Sequence, residues 1–164
     1  MRALLVVVVL AGCARETAPA KQSAPPDVVA QLDASRDLDG ALVGASDRPT
    51  LVVVFASWCP HCREEFVELA ALQDHHVRLL GVNYRGHEEY DHRGNSAAVR
   101  AFAARTPWLR VVPIDDALFA ALGSPPLIPS IYVFDRRGAL VAAYSRKDRA
   151  PPDRAELAAV LDKL

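Results

Sequence analysis

Two nearly unbroken apolar runs, rich in β-branched residues, dominate the hydrophobic pattern of the chain. The first covers residues 50–56 (TLVVVFA) and the second covers residues 77–83 (VRLLGVN). Each run is too short for a typical helix and lacks the alternation of a strand with one solvent-facing side. Each therefore predicts a strand that is buried on both faces of a sheet. Shorter runs predict three more strands, at residues 109–114, 130–134 and 139–144, the last two joined by a turn at residues 135–138.

Helical periodicity fills the intervals between these strands. In residues 60–74 the apolar positions Phe66 and Leu69 fall near one face, and Pro60 suits the first position of a helix. The polar segment at residues 84–95 (YRGHEEYDHRGN) predicts a loop. Further helices are predicted at residues 36–46, 96–105, 116–122 and from Asp153 to the C-terminus. This order of elements predicts an α/β fold, with a central mixed β-sheet, helices on both faces and an antiparallel edge.

Length and charge narrow the functional classes. The 164 residues are enough for one domain with its own hydrophobic core. A hydrophobic share of 51% with 24% charged residues is typical of a globular protein. The net charge is −1 and no basic stripe stands out, which argues against a nucleic-acid partner.

The N-terminal pattern predicts export. Arg2 precedes an apolar run over residues 3–11, which is far shorter than the roughly 20 residues needed to span a bilayer. Residues 10–13 (LAGC) resemble the bacterial lipoprotein box, in which the chain is cut before a cysteine that carries the lipid. We therefore predict a signal peptide at residues 1–12 and lipid attachment at Cys13. The alternative is an ordinary signal peptide with an incidental cysteine.

The segment after Cys13 is rich in alanine, proline and polar residues. Residues 13–27 contain too few large apolar side chains to fold, so they predict a flexible tether that holds a domain at residues 28–164 off the membrane. An ordered N-terminal arm is the alternative. We expect a lipid-anchored protein on the extracytoplasmic, periplasmic side of a bacterial membrane. Ala14 after the lipid cysteine resembles the sorting signal of outer-membrane lipoproteins in enteric-type bacteria.

The remaining two cysteines, Cys59 and Cys62, follow the first buried strand in the motif Cys-Pro-His-Cys. At a helix N-terminus the dipole and the unpaired N–H groups favour a negative charge, which lowers the pKa of a thiol placed there. Cys59 would then be the attacking thiolate and Cys62 the shielded, resolving thiol. A protonated His61 between them would favour the thiolate further.

Two other interpretations of the cysteine pair carry less weight. A structural zinc site needs about four ligands, and one Cys-x-x-Cys supplies two. The five histidines form no convincing second pair of ligands, so we expect no metal. A structural disulfide across three residues would restrain little chain entropy. A Cys-x-x-Cys at a strand-to-helix junction of an exported α/β domain instead favours redox chemistry, with the cysteine pair as the redox centre and no other cofactor.

The stretch from Trp58 to Cys62 after the strand LVVVFA resembles the thioredoxin-like superfamily, over about residues 50–144. A second landmark is Ile128-Pro129, directly before the strand at residues 130–134. The resemblance implies that the Pro129 bond is cis and lies beside the pair, and that Ile128 and Pro129 shape a groove for client proteins. Pro129 could alternatively be a strand-entry proline. Trp58 would cover the pair, or would simply pack against the domain.

Within that superfamily the chain is most similar to the TlpA/ResA branch of anchored, extracytoplasmic thiol-disulfide oxidoreductases. The sequences that carry this similarity are the lipoprotein start, CREEF, GVNYR, the segment inserted before Leu109 and FDRRGALV. In that branch a glutamate three residues after the second cysteine tunes the pair, and Glu65 holds that position. Glu64 and Glu68 lie nearby, so Glu65 could equally be a solvated helix carboxylate.

Two departures bear on mechanism. Thioredoxin has a buried aspartate six residues before the first cysteine, where this chain has Val53, so proton transfer must come from elsewhere, with Glu65 or water as the candidates. The Pro60-His61 dipeptide is similar to that of DsbA-type oxidases, although the rest of the domain resembles the reducing branch. The motif and the scaffold therefore imply opposite directions of electron flow.

The sequence predicts an enzyme, a protein thiol-disulfide oxidoreductase that exchanges disulfides with client proteins through Cys59 and Cys62. Its expected partners are clients with cysteine pairs, a redox partner that recharges the pair, and the membrane through the lipid. One alternative is a reductant dedicated to apocytochrome c or to metal-site cysteines. Another is a non-catalytic thioredoxin-like module that uses the groove for partners or copper.

Overall fold

A computed structural model describes residues 27–145 and 152–164 of the chain. Five strands form one mixed sheet in the order β3-β2-β1-β4-β5. The strands are β1 (Thr50–Phe55), β2 (Arg78–Tyr84), β3 (Arg110–Ile114), β4 (Ser130–Phe134) and β5 (Leu140–Ser145). The helices are α1 (Val28–Ala34), α2 (Pro60–Ala70), α3 (Arg85–Glu88), α4 (Ser96–Arg105), α5 (Asp116–Ala121) and α6 (Arg154–Leu161), with single 3₁₀ turns at Gln73–His75 and Tyr90–His92.

The strand pairing confirms the predicted mixed sheet with an antiparallel edge. Strand β1 runs parallel to β2, and β2 runs parallel to β3. On its other side β1 is antiparallel to β4, which forms the predicted hairpin with β5. All six residues of β1 are buried, as expected of a central strand covered on both faces.

Side chains of β1 alternate between two hydrophobic layers, one on each face of the sheet. Leu51, Val53 and Phe55 belong to a cluster that also contains residues of α2, α4 and α6. Val52 and Val54 belong to the opposite cluster, which contains residues of α1 and α5. Helices therefore cover both faces of the sheet, as predicted.

An aromatic cluster fixes α2 on the first of these faces. The ring of Phe66 packs edge-on against Phe55 with ring centroids 5.2 Å apart, and lies 5.3 Å from Phe102 of α4. Trp108 completes the cluster at 6.2 Å from Phe66. Because Phe55 ends β1 and Phe66 lies inside α2, this packing holds the strand-to-helix junction between them in place. Helix α2 ends at Ala70, four residues earlier than predicted.

The helix predicted at residues 36–46 is wrong. Arg36 and Leu42 instead form an isolated antiparallel bridge. Gly40 and Gly44 adopt φ values of 81° and 76°, in the left-handed region that ends a right-handed helix. The apolar spacing in this segment therefore serves a bridged loop and not a helix.

A helix that the sequence did not predict lies just before this loop. Helix α1 begins after Asp27, whose carboxylate accepts a 2.9 Å hydrogen bond from the backbone N–H of Ala30. It buries Val28 and Leu32. Two apolar positions four residues apart are too weak a pattern to identify so short a helix. The predicted signal peptide, the lipid site at Cys13 and most of the tether lie outside the described residues.

Within the two ranges that the structure describes, no helix has the length and apolar character needed to cross a bilayer.

Candidate active site

Cys59 is the N-cap residue of α2 and lies four residues after Phe55, the last residue of the central strand. Its backbone is extended (φ −74°, ψ 115°), and Pro60 occupies the first turn of the helix. The Sγ atom of Cys59 accepts a 3.1 Å hydrogen bond from the backbone N–H of Cys62. Cys59 and Cys62 are 3% and 0% exposed and are not joined by a disulfide. The sequence therefore places both sulfurs at the helix start, where an anion is stabilised.

These contacts lower the pKa of Cys59 from 9.0 to about 7. The largest cause is a side-chain hydrogen bond with Cys62, and burial of the sulfur opposes it. The backbone N–H of Cys62 and the charge of His61 lower the pKa further. About half of the Cys59 side chains would therefore be thiolate at neutral pH, and the thiolate is the nucleophilic form of cysteine.

His61 lies on the outer side of the motif. Its side chain is 52% exposed, and its Nδ1 lies 3.1 Å from Oε2 of Glu64, one turn along α2. The nearby carboxylate partly cancels the field that a positive charge on His61 exerts at Cys59. Solvent at this exposed position weakens the effect of both charges.

Ile128 and Pro129 lie against the cysteine pair. The peptide bond between them is cis, and the Sγ atom of Cys59 lies 4.0 Å from the carbonyl oxygen of Ile128. Ile128 packs against both hydrophobic layers of the domain, whereas the preceding Leu127 is 44% exposed. This segment therefore forms one wall beside the reactive sulfur and offers an apolar side chain to solvent.

The three glutamates of α2 have different surroundings. Glu65 is 7% exposed, on the buried face of the helix that also carries Cys62 and Phe66. Glu64 and Glu68 are exposed. Of the three glutamates of α2, only Glu65 therefore lies on the face of the helix that is buried with Cys62.

A buried carboxylate that the sequence did not identify lies behind the cysteine turn. Glu88 is 2% exposed. Its Oε2 accepts hydrogen bonds from the backbone N–H of Ser57 at 2.8 Å and from the Asn83 side chain at 2.9 Å. Its Oε1 accepts the Ser57 hydroxyl at 2.5 Å. Glu88 therefore binds the residue that lies two positions before Cys59.

The segment that carries Glu88, residues 84–95, is here called the strap. The loop predicted for it is wrong in part, because it contains α3 and the 3₁₀ turn at Tyr90–His92. This structure was difficult to predict from sequence, because Glu88 and Glu89 are adjacent and alike, and only folding of the strap onto the end of β1 distinguishes them. Asn83 at the end of β2 was the available signal, since a buried polar side chain needs a partner.

Trp58 packs between parts of this strap. Its indole N–H donates to the carbonyl oxygens of Glu88 at 2.9 Å and His87 at 3.2 Å. The guanidinium carbon of Arg93 lies 5.0 Å from the centre of the indole ring, within range of a cation–π interaction. Trp58 is half-buried, so it contacts the strap on one side and remains accessible on another.

No group of three or more His, Cys, Asp or Glu side chains is placed to hold a metal ion within residues 27–145 and 152–164. Cys59 and Cys62 can themselves carry two electrons, by passing between a dithiol and a disulfide.

Comparisons with known proteins agree with this arrangement. The chain is 32% identical over 93 residues to the thiol:disulfide interchange protein DsbE of Pseudomonas aeruginosa, a match that covers 56% of this chain and 47% of that relative. The chain thus matches about half the length of this curated relative.

Two solved structures have the same thioredoxin-like fold. A secreted Mycobacterium tuberculosis disulfide oxidoreductase, described as homologous to Escherichia coli DsbE, superposes with a TM-score of 0.59 at 18% identity. That match covers 79% of this chain and 94% of the other. The exposed lipoprotein thioredoxin Etrx1 of Streptococcus pneumoniae gives 0.62 at 15% identity, covering 79% and 97%. The Redoxin family model matches residues 19–161, which is most of the chain, and the protein therefore belongs to the Redoxin family.

Proposed function

We propose that this protein is a thiol-disulfide oxidoreductase that exchanges disulfides with client proteins through Cys59 and Cys62. The observation that carries the proposal is the state of Cys59. Its sulfur accepts the Cys62 N–H at the start of α2, and its pKa lies at about 7. A thiol kept about half ionised at neutral pH beside a second thiol is equipped for exchange and has no evident structural purpose.

In the reducing direction the Cys59 thiolate attacks one sulfur of a client disulfide. A new bond joins Cys59 to the client, and the client's other sulfur leaves as a thiolate that takes a proton. Cys62 then loses its proton, and its sulfur attacks Cys59. This step forms the Cys59–Cys62 disulfide and releases the second client sulfur, so two electrons pass to the client. The same steps in reverse oxidise a client dithiol.

The proton of Cys62 needs an acceptor near the buried sulfur. Val53 stands where thioredoxin has an aspartate, and its side chain is fully buried among apolar residues. Glu65 lies three residues after Cys62 on the buried face of the same helix. We assign Glu65 as the group that accepts this proton, directly or through water.

The surface beside Cys59 suits an extended client segment. The Ile128–Pro129 segment forms one wall, with Leu127 exposed, and the half-buried Trp58 lies directly before Cys59 in the motif. Apolar side chains of a client can bind there while its cysteine approaches the sulfur. Client recognition would then rest on shape and apolar contact around a single reactive atom.

We further propose that the domain works outside the cytoplasm, anchored by a lipid on Cys13. The LAGC sequence at residues 10–13 supports the anchor. Two proteins of the same fold support the location, since one is described as secreted and the other as an exposed lipoprotein. Mass spectrometry of the mature N-terminus tests this: a lipid-modified Cys13 is expected, and an unmodified residue at another cleavage site would contradict it.

Equilibration with glutathione tests the redox function. The protein is incubated at a series of ratios of reduced to oxidised glutathione, and its thiols are counted by alkylation and mass spectrometry. We expect one two-electron transition between dithiol and disulfide. Cys62→Ser should instead accumulate a Cys59–glutathione adduct, and Cys59→Ser should show no such transition. If the wild-type pair equilibrates neither with glutathione nor with dithiothreitol at any ratio of reduced to oxidised reagent, the proposed function is wrong.

A further inference from the structure

We propose that Glu88 is the positioning residue of the cysteine pair, holding the turn before Cys59 so that its sulfur meets the start of α2. This inference rests on the proposed function and adds a residue to it. Glu88 does not touch the reacting atoms. It acts through Ser57, and through the strap at residues 84–95 to which it belongs.

The contacts converge on the junction between β1 and α2. The Glu88 carboxylate accepts both the backbone N–H and the hydroxyl of Ser57, at 2.8 and 2.5 Å. The next residue, Trp58, donates its indole N–H to the backbone carbonyl of Glu88 at 2.9 Å. Two consecutive residues of the turn are thus tied to one residue of the strap. Cys59 follows immediately, and its own N–H donates to the carbonyl of Ala56 at 3.1 Å.

A second set of contacts, made by Asn83, connects Glu88 to the sheet. The Asn83 amide donates to Oε2 of Glu88 at 2.9 Å and to the carbonyl oxygen of Phe55 at 3.2 Å. Asn83 and Phe55 are paired in register on the parallel strands β2 and β1. The carboxylate is therefore fixed to the rigid sheet on one side and to the cysteine turn on the other.

The chemistry of the site indicates that Glu88 does more than fill space in the protein interior. A carboxylate that is 2% exposed is costly to bury, and charged hydrogen bonds must offset the loss of water. None of the ion pairs among the described residues includes Glu88. A neutral apolar residue would fill the space without that cost. With its two oxygens the carboxylate accepts three donors at once: the Ser57 N–H and the Asn83 amide on Oε2, and the Ser57 hydroxyl on Oε1.

The direction in which the Cys59 pKa changes when Glu88 is replaced distinguishes a positioning role from a direct electrostatic effect of its charge. If Glu88 holds the turn, its loss loosens the approach of Cys59 to the Cys62 N–H, and the pKa of Cys59 rises. If its negative charge acted directly on the sulfur, removing that charge would favour the thiolate and the pKa of Cys59 would fall. The two roles therefore predict changes of opposite direction.

The test uses Glu88→Gln in the full-length reduced protein, with Glu89→Gln as the matched control. Glu89 is the neighbouring residue, and its side chain is 55% exposed in a long 3.8 Å pair with Arg85. The pKa of Cys59 is measured from the pH dependence of its alkylation by iodoacetamide. We expect Glu88→Gln to raise this pKa and to slow alkylation at pH 7. A rise of one unit from about 7 would lower the thiolate fraction at pH 7 by about fivefold, while each more basic thiolate would react about threefold faster, so the expected net slowing is about twofold. Glu89→Gln should match the wild type.

A folded Glu88→Gln variant whose Cys59 pKa is unchanged or lower would overturn the inference. Should that variant fail to fold, Ser57→Ala removes only the hydroxyl donor and keeps the backbone N–H. It is expected to raise the Cys59 pKa by a smaller amount, and an unchanged value would again overturn the inference. If the wild-type protein equilibrates with glutathione but the Glu88 and Ser57 variants keep the wild-type Cys59 pKa, the proposed function stands and only the positioning role of Glu88 is wrong.

Discussion

The backbone N–H of Cys62 donates to the Sγ atom of Cys59 across 3.1 Å, so the second cysteine of the motif stabilises the anion of the first. A backbone donor at a helix start is fixed by the helix itself and needs no side chain to be held in place. The charge of His61 lowers the Cys59 pKa in the same direction but is a smaller cause. The side-chain hydrogen bond with Cys62 is the largest cause of the lowered Cys59 pKa, so the reactivity of Cys59 depends first on its contacts with Cys62 at the start of α2.

The first prediction concerns the pH dependence of Cys59. Because the pKa of Cys59 is about 7, the thiolate is lost as the pH falls through 7, and ionisation is nearly complete two pH units above it. At pH 7 about half is ionised, against roughly 1% for a thiol of pKa 9, but the lower basicity weakens each thiolate by nearly tenfold. We therefore expect Cys59 to react with iodoacetamide about sixfold faster at pH 7 than such a thiol.

The control for this measurement is Cys59→Ser, in which the fast phase near neutral pH should disappear. An alkylation rate that rises only above pH 8 in the wild-type protein would contradict a lowered Cys59 pKa.

The second prediction concerns His61. Replacing it with alanine removes the positive charge beside Cys59, so the pKa of Cys59 should rise and the pair should become more reducing. Because His61 is 52% exposed and already faces Glu64, the change should be no more than about tenfold in the equilibrium with glutathione, or about 30 mV. Glu68→Gln, an exposed change on the same helix, serves as the control. A shift well above tenfold would show that His61 dominates the potential.

The third prediction compares two neighbouring residues of α2. Phe66 is 3% exposed within the aromatic cluster, whereas Val67 is 72% exposed. Phe66→Ala leaves a cavity beside Phe55 and Phe102 and should lower the free energy of unfolding by about 3–5 kcal/mol. Val67→Ala should change it by no more than about 0.5 kcal/mol. Urea denaturation measures both, and similar losses would contradict the packing of α2 described above.

The parts of the fold that sequence predicted are those with a strong local pattern. The apolar run of β1 and the motif from Cys59 to Cys62 lie in adjacent, unambiguous segments, and their junction follows from them directly. The burial of Glu65 was also accessible in principle, because helical spacing places it on the face of Cys62 and Phe66. Nothing in the strap is so regular, and its glutamates are indistinguishable until the segment folds.

The sequence patterns did not reveal contacts between residues that are distant along the chain. Glu88 is buried because Ser57, 31 positions earlier, meets it across the end of the sheet. The false helix at residues 36–46 has the same origin, since its apolar positions serve a bridge between Arg36 and Leu42. In both cases a partner distant in sequence, or a backbone conformation that only glycine accepts readily, outweighed the local pattern.

The last prediction concerns Gly94, near the C-terminal end of the strap. A Cβ atom added there would overlap Oε1 of Glu88 and lie 2.8 Å from Cδ1 of Trp58. Both neighbours belong to the contacts that hold the cysteine turn, so Gly94→Ala should lower the free energy of unfolding by about 1–3 kcal/mol. It should also slow alkylation of Cys59 at neutral pH. Gly86→Ala is the matched control in the same strap, because the three atoms nearest to its Cβ would all belong to the Tyr84 side chain. Overpacking alone would destabilise both variants but leave Cys59 equally reactive in each, whereas an effect through the turn slows Cys59 only in Gly94→Ala.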